Sequence, residues 1–202
     1  MIVFARAPIA GRVKTRLAER LGADGAARLH RQLTRNAVRV ARAARCGRVE
    51  VHVTRRHAFF RMLKSKLRLQ RGADLGERMH RALRDALRRE RCAILIGTDC
   101  PVLKPRDLRR ATRWLQGGAD LVLAPAEDGG YTLIGARRLS AQIFANVNWG
   151  KPQVMRETLR NIARTGLRAR LLPAVWDVDR PADLDRLRAL RFSSAWRRRA
   201  RR

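Results

Sequence analysis

The sequence predicts a three-layer α/β domain built on a mostly parallel sheet. Strand-like and helix-like stretches alternate along the chain, the pattern of a sheet covered by helices on both faces. One run, residues 92–97, is apolar on both faces, as a strand buried between two helical layers must be. Hydrophobic residues make up 46% of the 202 residues, enough for one sizeable core. No internal repeat or low-complexity linker divides them. The expected organisation is one domain over residues 1–191 and a disordered basic tail over 192–202.

The elements follow in order. Residues 2–6 are a short apolar run that leads into a Pro/Gly loop at 7–12. Ala26, Leu29, Leu33, Ala37, Val40 and Ala44 recur at spacings of three and four, which places one apolar stripe on a helix. Residues 48–54 alternate, with Val49, Val51 and Val53 on one face, as a half-buried strand does. Leu75, Met79, Ala82, Leu83, Ala86 and Leu87 mark a second amphipathic helix. After the doubly apolar strand, Pro105 suits the first turn of a helix that ends at Gly117-Gly118. Residues 121–123 and 131–135 read as strands around a turn at 127–130. A helix is expected over 153–165 with Gly166 as its stop, a late strand over 168–172, and a last helix over 181–190.

The charge is extreme. Lys and Arg number 47 against 17 Asp and Glu, a formal net charge of +30. Lysine supplies only positions 14, 64, 66, 104 and 151, so arginine supplies 42. A chain selected for phosphate contacts normally uses lysine as well. The arginines are scattered, and only the tail from Trp196 is a basic run. The expectation is weak, salt-dependent binding to nucleic acid without sequence preference. Three cysteines with no C-x-x-C spacing argue against a disulfide framework and a zinc ribbon. The opening apolar stretch is too short for a signal peptide. No stretch approaches the ~18 apolar residues of a membrane span. A cytoplasmic setting is expected.

In open α/β sheets ligands sit outside the carboxyl ends of the strands, so the residues after each strand carry the functional argument. The loop at 7–17 offers Gly11, whose lack of a side chain lets backbone N–H groups approach a phosphate, and the charges of Arg12, Lys14 and Arg16. Val13 occupies the place where a Walker A loop needs glycine, which excludes that reading. An ordinary strand-to-helix turn with solvated charges explains the loop equally well. Asp99, just after the central strand, stands where a divalent cation meets a substrate diphosphate; the competing role is a cap for the next helix. Asp128-Gly129-Gly130-Tyr131 is first a hairpin turn, although Asp128 and Tyr131 could also hydrogen-bond a sugar.

In the late stretch at 176–184, Pro181, Asp183 and Asp185 fit helix-start and structural roles. Asp177 and Asp179 lie two apart on an extended segment and share a face if it is regular. Depth then favours Asp179 as a metal ligand and leaves Asp177 to pair with an arginine. His30, His52, His57 and His80 form no H-E-x-x-H pair, and His30 and His80 fall outside the apolar stripes. There is no G-x-S-x-G and no G-x-G-x-x-G. Cys100 beside Asp99 reads as packing, since a neighbouring carboxylate disfavours the thiolate.

Taken in order, residues 4–8, 13–17, 72–79, 96–101, 128–135 and 177–179 resemble a bacterial family of GT-A-fold proteins usually described as nucleotide-diphospho-sugar transferases. Some members are described as arsenosugar-biosynthesis glycosyltransferases. The resemblance runs over about residues 2–190. It implies a GT-A-like fold, a Mg²⁺ or Mn²⁺ cofactor, and a nucleotide near the first loop. Asp99 resembles the metal-binding aspartate of sugar nucleotidyltransferases, and Asp179, in Asp179-Arg180-Pro181-Ala182-Asp183, matches their late D-T-P-x-D aspartate. The first loop lacks the A-G-G-x-G-x-R of those enzymes, and Thr98-Asp99-Cys100 has one carboxylate where many glycosyltransferases have D-x-D. Arg180 replaces the usual threonine, and Arg6 stands where the family often has lysine.

The expected activity is metal-dependent transfer from a nucleotide sugar to an acceptor. Asp99 and Asp128 are the expected catalytic residues, Asp99 and Asp179 the metal ligands. Gly11, Arg12, Lys14 and Arg16 would hold the nucleotide phosphates, and Asp128 and Tyr131 the sugar. The alternatives are a sugar-phosphate nucleotidyltransferase that uses a nucleoside triphosphate in the same cleft, and a polyanion-binding protein on a degenerate enzyme scaffold.

Overall fold

The computed structural model describes residues 1–192. Its elements are β1 (Ile2–Ala5), α1 (Ala18–Ala44), β2 (Glu50–Val53), α2 (Ala58–Arg61), β3 (Lys66–Leu69), α3 (Leu75–Leu87) and β4 (Ala93–Ile96). Then come α4 (Pro105–Gln116), β5 (Leu121–Pro125), β6 (Tyr131–Ala136), α5 (Val154–Thr165), β7 (Ala169–Leu171) and α6 (Asp183–Phe192). The strands form one sheet of seven in the order β3-β2-β1-β4-β6-β5-β7. Only β6 runs against the rest, paired antiparallel with β4 and β5. The expected α/β architecture with a mostly parallel sheet is therefore present.

Alternation along the strands builds both cores at once. In β1, Val3 and Ala5 join Val51, Val53, Ile94 and Ile96 under α1, α2 and α4. Ile2 and Phe4 face the other way and meet Leu95, Leu123 and Ile134 under α3 and α5. A third, smaller cluster joins Leu17, Leu29 and Leu33 to Val178, Leu184 and Leu187. It clamps α6 and the chain before it onto α1, at the end of the sheet where the first loop emerges.

Local chemistry sets the helix ends. Asp74 accepts from the Glu77 amide at 2.8 Å, and Glu77 reaches back to the Ala73 amide at 2.6 Å, a reciprocal cap for α3. Gly166, at φ 67°, closes α5. α6 begins at Asp183 rather than at Pro181, and the Asp183 carboxylate reaches back to accept from the amides of Asp179 and Arg180 at 3.0 and 2.6 Å.

Two differences from the sequence pattern have simple causes. β3 and α2 lie in the stretch 55–74, which the pattern leaves unassigned. β3 is an edge strand with most of its surface in solvent, so it carries little hydrophobic signal. α1 begins at Ala18, well ahead of its apolar stripe, because Gly22 (φ 67°, ψ 163°) breaks the helix and only the part beyond it packs on the sheet. Phe192 is the last residue of α6, and the rest of the expected basic tail lies outside the described residues. Among the described residues no helix is long and apolar enough to cross a membrane.

Glu50 on β2 shows how a buried acid is held in so basic a chain. Its carboxylate receives Arg68 at 2.8 Å and Arg89 at 3.1 Å, with His52 at 3.3 Å. Burial works to raise its pKa, but the hydrogen bonds from Arg89, Arg68 and His52 outweigh that and hold it down at about 2. A depressed carboxyl stabilises the fold above its unfolded pKa of 4.5, and that stabilisation disappears as pH falls towards about 2. Glu50→Gln should lower stability at pH 7 by about 2 kcal/mol. It should also flatten the loss of stability expected for the parent between pH 4.5 and about 2, measured by urea unfolding at each pH. An unchanged acid profile would show that other groups carry the acid sensitivity.

Candidate active site

Four segments converge at the carboxyl end of the parallel strands: the loop 6–17 after β1, residues 97–101 after β4, the turn 126–130 between β5 and β6, and the chain at 173–182 that precedes α6. The third hydrophobic cluster fixes two of them, because Leu17 ends the first loop and Val178 lies in the middle of the late segment, both fully buried. The Val178 amide donates to the Asp99 backbone carbonyl at 2.9 Å, which ties the late segment to the end of β4.

Lys14 lies at the centre. It is 8% exposed and sits in the left-handed region at φ 50°, ψ 40°. Its ammonium lies 2.9 Å from Asp99 Oδ2 and also donates to the Val178 carbonyl. Asp99 Oδ1 receives the Thr98 hydroxyl at 3.2 Å and lies 4.0 Å from His30 Nδ1. The carboxylate keeps 42% of its side-chain surface reachable by solvent, whereas the lysine that pairs with it keeps 4%. Burial works to raise its pKa, but Lys14 and then His30 outweigh that, and the carboxyl lies below its usual value.

Asp177 is half-buried, and its carboxyl is pushed up to about 6, first by burial, then by the charges of Asp128 and Asp99, with Lys14 opposing. Asp128 is exposed and accepts the Gly130 amide at 2.9 Å, an Asx turn within the hairpin. Three carboxylates thus share one region, and the lysine neutralises one of them.

The two late aspartates exchange the positions expected of them. Asp179 is the one paired with an arginine, Arg16, at 2.5 Å. Among the described residues Asp177 makes no ion pair and feels Asp128 and Asp99 instead. The segment is not a regular strand. The chain bends at the buried Val178, so the period-two argument for a shared face does not apply. Arg16 pairs with Asp179 yet stays exposed, Arg12 is exposed, and Gly11, at φ 73°, has open space around it. Lys14 is also no solvated charge, as an ordinary turn would have it.

Tyr131 turns inward. Its ring meets Trp149 edge-on, with centroids 6.4 Å apart, and its hydroxyl is buried without a hydrogen-bond partner among the described residues. Burial raises its pKa, with the Thr158 hydroxyl working against the shift. It belongs to the core behind the turn, which corrects the expectation that it contacts sugar. Cys100 is buried packing, its thiol pushed up to about 11 chiefly by burial.

His30 is the residue that the sequence argument missed. It is 3% exposed, and its Nε2 lies 3.0 Å from the Arg6 carbonyl. A carbonyl only accepts, so Nε2 carries a proton, and Nδ1 is the nitrogen nearer Asp99. Burial lowers its pKa, opposed by Asp99. The signal was available, since positions 26, 30, 33 and 37 keep helical spacing and His30 lies within that stripe.

Carboxylate oxygens are the hard donors that Mg²⁺ or Mn²⁺ requires. The raised Asp177 carboxyl marks an excess of negative charge that a divalent ion would relieve. Among the described residues no group of three or more His, Cys, Asp or Glu is placed to hold a metal ion. Asp99 and Asp177 are oxygen donors of the kind such an ion takes when it is held by only one or two protein carboxylates.

The turn itself is held from behind. Gly129 has φ 88°, and a Cβ there would fall 1.9 Å from the Pro152 carbonyl oxygen. The Met155 amide donates to the Gly129 carbonyl at 2.8 Å, locking the turn to the start of α5. Gly129→Ala should therefore cost about 1–3 kcal/mol of stability. It should also displace Asp128, measurable as a lower thermal midpoint and altered amide exchange over 126–131. A variant as stable as the parent would show that the turn tolerates a shift away from Pro152.

The likenesses to known proteins agree with this geometry. A solved structure from Desulfovibrio desulfuricans G20, described as a "putative nucleotide-diphospho-sugar transferase", is 31% identical. It matches with a TM-score of 0.89 over 98% of this chain and 89% of its own. A CMP-2-keto-3-deoxy-manno-octonic acid synthetase solved with CTP matches at TM-score 0.59 and 14% identity, over 94% of this chain and 96% of that one. A nucleotidyl transferase from Methanothermobacter matches at 0.58 and 18%, over 94% and 95%. At these identities the last two show a shared fold. No protein of curated function matches the chain. Residues 36–151 match the model of a family described as an uncharacterized protein conserved in bacteria, DUF2064, and on that match together with the Desulfovibrio structure the chain belongs to this family.

Proposed function

We propose that this protein is a transferase acting on a nucleotide-activated sugar. The observation that carries the reading is the buried Lys14 against Asp99, with Asp177 and Asp128 beside them, at the carboxyl ends of the strands. Such a site offers a cation for a diphosphate and carboxylates for a divalent metal within one cleft. The 31% identical relative, described as a nucleotide-diphospho-sugar transferase, supports it.

In the proposed reaction the bond between the sugar's anomeric carbon and the diphosphate breaks, and a bond to an acceptor oxygen forms. The diphosphate leaves with its charge, and the acceptor proton passes to a base. Lys14 meets the departing diphosphate, with Arg12 and the open backbone at Gly11 beside it, an electrostatic role. Arg16 positions the late segment through Asp179. Asp128, exposed at the turn, faces the acceptor side and takes its proton. Asp99 and Asp177, rather than Asp179, are the residues that would hold Mg²⁺ or Mn²⁺. When bound, the metal supplies Lewis-acid stabilisation of the diphosphate charge.

A thermal-shift panel with Mn²⁺, comparing nucleotide sugars with nucleoside triphosphates, tests the reading. Nucleotide sugars should raise the midpoint. Stabilisation by triphosphates alone, with pyrophosphate release on adding a sugar phosphate, would make the protein a nucleotidyltransferase instead. With the stabilising nucleotide sugar as donor, Asp177→Asn should lower turnover at least about a hundredfold. Asp179→Asn should mainly lower stability by loosening Arg16. A dead Asp179→Asn enzyme beside an active Asp177→Asn one would return the metal role to Asp179.

A further inference from the structure

The Lys14 ammonium stands where the proposed site needs a divalent cation. It lies 2.9 Å from Asp99 Oδ2, is fixed from the other side by the Val178 carbonyl, and is almost wholly out of solvent. The other Asp99 oxygen is occupied by the Thr98 hydroxyl. Each Asp99 oxygen thus already has one protein partner, and a metal ion on this carboxylate would compete with the ammonium. One ammonium cannot both neutralise Asp99 and meet a substrate phosphate at full strength. The left-handed backbone at Lys14 is uncommon for a residue with a side chain. A rearranged loop would relieve it.

We propose that Lys14 is the resident cation of the free enzyme, and that a divalent ion takes hold on Asp99 only when an anionic ligand draws the lysine away. The inference rests on the transferase reading for the identity of that ligand, but the contact itself is independent of it. Metal and diphosphate then bind with positive coupling, and by linkage each raises the affinity for the other. Ligand-free protein holds metal weakly because its own ammonium competes. The order of events follows: the metal enters with the diphosphate or after it, and the carboxylate cluster is never left without a cation. A competing ammonium also lets a strongly basic protein keep an acidic site folded in the absence of metal.

The test uses the metal alone. Free Mn²⁺ is measured by electron paramagnetic resonance against the full-length protein at low ionic strength, with circular dichroism as the folding control. Lys14→Met removes the charge, and Lys14→Gln removes it while keeping a donor for the Val178 carbonyl. Both should bind Mn²⁺ at least tenfold more tightly than the parent, within the range of ordinary coupling between sites. Mn²⁺ should also raise their thermal midpoints while leaving the parent's unchanged. Adding Asp99→Asn to either should abolish the gain. If the folded Lys14 variants bind Mn²⁺ no better than the parent, or if the gain survives Asp99→Asn, the proposal is overturned. That failure is distinguishable from failure of the transferase reading: nucleotide sugars would still stabilise the parent in the first case and would not in the second.

Discussion

The contact on which the site depends is the ion pair between Lys14 and Asp99. Asp99 leaves the end of β4, Lys14 belongs to the loop after β1, and the Val178 carbonyl that shares the ammonium comes from the approach to α6. A buried ammonium needs a counter-charge and hydrogen-bond acceptors. Lys14 finds both only if the three segments meet as they do. The hydrophobic cluster of Leu17, Leu29, Leu33, Val178, Leu184 and Leu187 supplies the non-directional part of the same junction. Polar and apolar contacts converge because the residues alternate: Leu17 lies one helical turn after Lys14, and Val178 buries its side chain while offering its carbonyl to the cleft.

The whole molecule and the cleft carry opposite local charge. A net charge of +30 surrounds a pocket with three clustered carboxylates. At long range the surface attracts any anionic substrate, an effect that salt screens over about 10 Å. At short range Asp99 and Asp128 repel Asp177, and the raised Asp177 carboxyl reflects burial first and that repulsion second. Some of the arginines elsewhere are held by local acids and carbonyls. Asp120, 2% exposed, receives Arg137 at 2.6 Å and the Arg168 amide at 3.0 Å, tying β5 to β7. Such pairs explain why a chain so rich in arginine folds around few acids.

Much of the fold was legible in the sequence, because its signals are local. The doubly apolar strand at 93–96, the proline start of α4 and the glycine stop of α5 each follow from side chains within a few residues. The edge strand β3 was not, since its energetic contribution lies in backbone pairing with β2 rather than in buried side chains. In the site, Lys14 and Asp99 are each legible as residues that follow a strand. Their direct contact was not readable, because it depends on where Val178 brings the late segment. Asp177 and Asp179 are separated in the sequence only by depth along an extended segment, and the bend at Val178 makes that segment irregular. Tyr131 and His30 erred in opposite directions: a polar tip was taken for an exposed one, and a histidine in an apolar stripe was taken for a bystander.

The central claim is that Lys14 and Asp99 act as one unit that joins the three segments. A double-mutant cycle with Lys14→Met, Asp99→Asn and the combined variant, read by urea unfolding without ligands, measures that unit directly. The ion pair predicts a coupling of at least about 1 kcal/mol, with the double variant more stable than the sum of the single losses implies, because neither charge is left buried alone. Additive single losses would contradict the account and place Lys14 and Asp99 in the fold as independent residues.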